Sequence, residues 1–128
     1  MTGDTITMSG DFRGANVFVK TTLSHVNVGV WSMAGVDDAA KAELQGLVAR
    51  LNEALQRVPP EKAEEAEAVA ASAKQLVEAA QGERPNRTLL RVAADGLRQA
   101  AQTLAAAAPP AVGIATQIVE LIAKVRGL

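Results

Sequence analysis

The sequence predicts a mainly α protein with a short N-terminal β region: an antiparallel four-helix bundle preceded by about three short strands. Three observations carry this reading. Alanine supplies 26 of the 128 residues while aromatics make up 2%; alanine has the best helix propensity and little area to bury, so the helices should be numerous and closely packed. From Asp37 onward apolar residues recur at helical spacing, whereas before it Thr, Val, Gly, Ser and Asn dominate in short alternating stretches. The length suits one domain, read as a β-rich oligomerisation segment over 1–35 and an Ala-rich bundle over 36–128.

The expected strands come first. Thr5-Ile6-Thr7-Met8-Ser9 alternates polar and apolar residues before Gly10-Asp11 interrupts it. Asn16-Val17-Phe18-Val19-Lys20 is a β-branched and aromatic run. His25 to Trp31 alternates again and would put Val26, Val28 and Val30 on one face of a strand.

Four helices are expected after the link Ala34-Gly35-Val36. The first, over 38–58, is capped by Asp37 or Asp38 and carries the stripe Leu44, Leu47, Val48, Leu51, Leu55 and Val58. Pro59-Pro60 ends it, and Pro60 suits the first position of the next helix because the missing N–H would be unpaired there anyway. That second helix, over 60–81, has the thin stripe Ala66, Val69, Ala70, Ala73, Leu76, Val77 and Ala80, with Gly82 as its stop. Asn86 caps the third, whose Leu90, Ala93, Leu97, Ala100, Leu104 and Ala107 follow bundle spacing. Pro109-Pro110 opens the fourth, with Ile114, Ala115, Ile118, Leu121, Ile122 and Val125 as its broad stripe and Val112 and Val119 off it. Connections this short imply antiparallel sequential neighbours.

Composition removes whole classes of chemistry. Zero Cys and one His exclude zinc fingers, thiol catalysis and His-rich metal sites. A net charge of −1 and the scarcity of aromatic stacking groups give no case for nucleic acid. Glu64, Glu65 and Glu67 read as the solvated start of a helix rather than an acid–base pair, and His25 as a surface or interface residue without a nucleophile partner. No motif for a cofactor, nucleotide or metal is present, so none is expected and the chain is read as a non-enzyme. No signal peptide is visible, and the apolar run 104–125 is broken by its prolines, leaving the length of a core helix; a cytoplasmic setting is the expectation.

Charge is unevenly spread. Over 60–83, six acids face Lys62 and Lys74, a balance of −4; over 84–128, six bases face Asp95 and Glu120, a balance of +4. Two explanations stay open: complementary solvated faces of adjacent helices, or the acidic face of one subunit docking on the basic face of another. Arg84, Arg87, Arg91 and Arg98 form the candidate partner surface.

Gly10-Asp11-Phe12-Arg13-Gly14 and Ala15-Asn16-Val17-Phe18-Val19 together resemble two consecutive pentapeptide repeats, with Lys20-Thr21-Thr22 departing from the pattern. Two coils do not close a solenoid, so the resemblance implies strands completed by other chains. More broadly, the chain resembles a class of small bacterial modules. The resemblance rests on Ser9 to Ala15, on Lys20 and Leu23, on Pro59-Pro60 and Pro109-Pro110, and on Ala115-Thr116-Gln117-Ile118. It implies recruitment or oligomerisation parts, found alone or joined to bacterial signalling and conflict-system proteins, rather than enzymes.

The function expected is therefore a self-assembly or adaptor module. Its homo-oligomer interface would be built from Phe12, Val17, Phe18, Val19, Val26, Val28, Val30 and Trp31, because three isolated strands need a partner. A signalling or effector protein is a further expected partner. The alternative is a membrane-active protein using the apolar helix 111–125.

Overall fold

Helical periodicity extends to the N-terminal segment as well. The structure, a computed structural model, describes residues 3–82 and 84–127, with side chains from Val17 onward. Among these residues there are five α-helices and no strand: α1 (Gly3–Trp31), α2 (Asp38–Gln56), a short 3₁₀ turn (Pro60–Lys62), α3 (Ala63–Ala80), α4 (Arg87–Gln102) and α5 (Pro109–Arg126). The expected β region is thus overturned: the strands at 5–9, 16–20 and 25–31 are all part of α1, and the four-helix bundle gains a fifth member.

The reason lies in which residues α1 buries. Val19, Thr22, Leu23, Val26, Gly29 and Val30 are buried at steps of 3, 1, 3, 3 and 1, which is one helical face, and Met33, just past the helix, is buried three residues further on. Val26 and Val30 are four apart and fit both a strand and a helix, whereas Val19, Leu23 and Met33 fit only the helical period. Burial then overrides the β preference of valine. The hydroxyls that make the segment look strand-like return to the helix itself: Ser24 Oγ donates to the Lys20 carbonyl at 2.9 Å and Ser32 Oγ to that of Val28 at 3.1 Å.

Each later boundary has a local cause. Gly35 takes the left-handed conformation after α1. The Asp37 carboxylate accepts from the Ala40 N–H at 2.8 Å and so caps α2. Pro59-Pro60 stops α2 and opens the 3₁₀ turn that leads into α3. Asn86 Oδ1 accepts from the Leu89 N–H at 3.0 Å and caps α4. After Gln102 the chain leaves the α-helix in turns through Thr103–Ala107, so α4 ends earlier than its alanines suggest.

The helices close a ring of packing partners: α1 on α3, α3 on α4, α4 on α5, α5 on α2, and α2 back on α1. Consecutive helices α2 and α3 have no substantial contact, because α1 takes the place between them. One apolar core fills the ring, with Leu23, Leu44, Leu51, Leu55, Leu76, Leu90, Leu97, Leu104, Ile118 and Ile122 among its fully buried side chains. Each such side chain contributes about 1.5–3 kcal/mol by leaving water. α3 lies against α1 and α4 through Ala66, Ala70, Ala73 and Ala80, whose small size lets the axes approach. Along α4 and the turn after it, Leu90, Leu97 and Leu104 fall inside as the periodicity predicts, but the buried alanines are Ala94, Ala101 and Ala108 rather than Ala93, Ala100 and Ala107. On α5, Val119 is buried while Ile114, Leu121 and Val125 are half-buried, because α5 is covered on two sides, by α2 and α4.

Candidate interaction surface

The outward side of α1 is the feature with the least structural explanation in a single copy of the chain. Val17 (62% exposed), Phe18 (43%), Val28 (65%) and Trp31 (52%) stand on it. Val17, Thr21, Ser24, Val28 and Trp31 succeed one another at steps of 4, 3, 4 and 3, all exposed, directly opposite the buried face. Between Gly14 and Val36 the only formally charged residue is Lys20. A surface helix is ordinarily charged on its solvent side; one that is apolar all round is ordinarily covered all round.

Trp31 is held in place at the end of this stripe. Lys41 Nζ donates to the Trp31 carbonyl at 3.0 Å, and the same ammonium lies 5.8 Å from the indole centroid. The lysine thus places a cation at the negative end of α1 and over an aromatic face. The exposed His25 lies on the outer side of α1 as well, among Thr21, Ser24 and Val28.

The residues read as an oligomer interface therefore divide. Val17, Phe18, Val28 and Trp31 face outward together, while Val19, Val26 and Val30 sit in the chain's own core against α2 and α3. The side chain of Phe12 lies outside the described residues.

A second surface is electrostatic. Arg84, Arg87, Arg91 and Arg98 are all exposed. Arg91 and Arg98 line a groove of about 290 Å³ between α4 and α5 whose floor is Ala94, Val119 and Ala123. Arg87 stands at one end of that surface, its Nη2 3.7 Å from where a Cβ on Gly127 would be. The ion pairs recorded are Lys62–Glu65 at 3.8 Å and Arg98–Asp95 at 3.7 Å, each within its own segment, and none joins acidic α3 to basic α4 among the described residues. Beside the arginines, Leu89 and Val92 are exposed at 58% and 63%. Reading the periodicity fixes the buried leucines of α4 but leaves these two unremarked; their position one before and two after Leu90 was the available signal.

Other features are less specific. A groove of about 340 Å³ between the end of α2 and the start of α5 is bounded by Arg50, Glu53, Arg57 and Pro110 over Ala54 and Ile114. Among the described residues no three His, Cys, Asp or Glu side chains come together as a metal site. Desolvation lowers the pKa of Arg126 below the ordinary arginine value, and its Nε and Nη2 are buried without a hydrogen-bond partner among the described residues. No described helix is long and apolar enough to cross a membrane, and the apolar side of α5 is packed into the core.

The fold defines a small all-α helical bundle, with an apolar outer face on α1 and a basic face on α4. Compared with known protein families, curated proteins and solved structures, the chain has no significant match.

Proposed function

We propose that this chain is a non-enzymatic self-assembly or adaptor module, a helical bundle that associates with a second copy through the outer face of α1. The observation that carries the reading is the exposed stripe with Val17, Val28 and Trp31 opposite an already buried face, and Phe18 exposed at its flank. Covering it removes apolar area from water, and its two aromatic members are the residue types that dominate interface energetics. Strand pairing plays no part in this version; helix-to-helix packing replaces it. In this reading the assembled module works in the cytoplasm and gathers a signalling or effector protein.

Light scattering on the purified chain at tens of micromolar tests it. Wild type should run as an oligomer, and Val28→Glu/Trp31→Glu as a monomer with an unchanged helical circular dichroism spectrum. A wild type that stays monomeric at that concentration discards the reading.

A further inference from the structure

We infer that the basic face of α4 is a docking surface for the acidic face of α3 on a second copy of the chain, joined head to tail. Within one copy these charges are separated. Glu61, Glu64, Ala68, Gln75 and Glu78 are exposed along the outer side of α3 and its leading turn, at steps of 3, 4, 7 and 3. On α4, Arg87, Arg91 and Arg98 follow at steps of 4 and 7 along the side that borders α5. The two helices pack against each other, yet no ion pair links them among the described residues. Adjacent helices that complemented each other electrostatically would pair across their shared edge. Here each row of charge points away from the other, and each remains available to a neighbour.

Shape agrees with charge. The α4–α5 groove has small residues, Ala94 and Ala123, on its floor and Arg91 and Arg98 on its wall; Asp95 stands beside them and pairs with Arg98 at 3.7 Å, leaving Arg91 and the neighbouring Arg87 as the uncompensated charges. The outer side of α3 offers Ala68 and Gln75 between its glutamates, and the exposed Lys74 stands at the flank of that row. Because the acidic and basic patches are different surfaces of the same molecule, the contact is heterologous: each copy uses one patch on one neighbour and the other patch on the next. Charge complementarity of this kind sets partner choice and register and makes association sensitive to salt.

The inference is independent of the α1 interface, and one set of measurements separates them. Sedimentation velocity of the full chain should show association that weakens as sodium chloride is raised. Arg91→Gln/Arg98→Gln and Glu64→Gln/Glu78→Gln should each weaken that salt-sensitive step about tenfold while the circular dichroism spectrum stays helical. An equimolar mixture of the two variants retains one intact acidic face and one intact basic face. It should therefore form a mixed pair through this contact and grow no further by it. Val28→Glu/Trp31→Glu should abolish the α1 contact and leave the salt-sensitive step in place. Salt-independent association, or variants that associate like wild type, would overturn the inference. So would a mixture that shows no pairing. If no salt-sensitive step occurs and the chain instead co-sediments with phosphatidylserine vesicles in an arginine-dependent way, the basic face belongs to a membrane surface and the inference fails.

Discussion

Gly29 of α1 and Val77 of α3 are so close that a Cβ on the glycine would stand 3.0 Å from Val77 Cγ1. The same Cβ would meet the side-chain amide of Gln81, which is free to swing aside, whereas Val77 is buried, β-branched and fixed. Glycine lowers helix propensity, so its presence in the last turn of α1 is explained by this close approach. Gly29→Leu should force α1 away from α3 and cost about 1–3 kcal/mol. Gly46 in α2 and Gly96 in α4 have nothing within 4 Å of the corresponding position, so Gly46→Ala and Gly96→Ala should each stabilise by about 0.5–1 kcal/mol. Urea denaturation distinguishes the two classes by the sign of the change.

The caps of α2 and α4 should behave as separable local contributions. Asp37 and Asn86 each satisfy a backbone N–H that the helix leaves unpaired. Asp37→Ala and Asn86→Ala should each lower the unfolding free energy by about 1 kcal/mol, and Asn86→Asp should restore most of it, since aspartate is an equally good cap. The two sites share no partner, so the double variant should show the sum of the single effects within about 0.5 kcal/mol.

How far the fold was legible follows from what each residue type can signal. Leu90, Leu97 and Leu104 were readable because a large apolar side chain in a polar helix has one place to go. The alanines between them were read one position off, since an alanine carries too little area to mark whether 93 or 94 is inside. Pro59-Pro60, Asn86 and Pro109-Pro110 were readable because their chemistry acts locally. α1 was not, because positions four apart suit both strand and helix, and the deciding partners, Val77 beside Gly29 and Val48 beside Leu23, belong to the tertiary core. The apolar character on both sides of residues 17–19 was legible regardless: the helix turns Val19 inward and leaves Val17 and Phe18 outside.

Trp31, the only tryptophan, reports on the outer face of α1 directly. It is half-exposed beneath the Lys41 ammonium in a single copy, so dilute protein should emit at the long wavelength of a hydrated indole. If the face is covered on self-association, emission should move to shorter wavelength as concentration rises, and Val28→Glu should remove that concentration dependence. Lys41→Ala should alter the starting spectrum but leave the shift intact, since it removes the neighbouring cation without changing the apolar stripe. An emission maximum independent of concentration, in a sample shown by scattering to be oligomeric, would place the contact elsewhere.

Arg126 tests the opposite kind of site, a charge the bundle accommodates at a cost. Its Nε and Nη2 are buried at the end of α5, close to the Gly35 turn, with no hydrogen-bond partner among the described residues. Removing an unsatisfied buried donor and keeping the aliphatic contacts relieves desolvation without opening a cavity, so Arg126→Met should be neutral or stabilising by about 1 kcal/mol in urea. Desolvation lowers the folded-state pKa below the unfolded one, which means the folded chain holds this proton less tightly. The associated cost is present at every pH below the lowered pKa and is relieved only as the pH rises through it, in the strongly alkaline range. Across neutral pH the guanidinium is charged in both states. Wild type and Arg126→Met should therefore give parallel profiles of stability against pH, offset by a constant amount, and profiles that cross near neutrality would assign the offset to a different group.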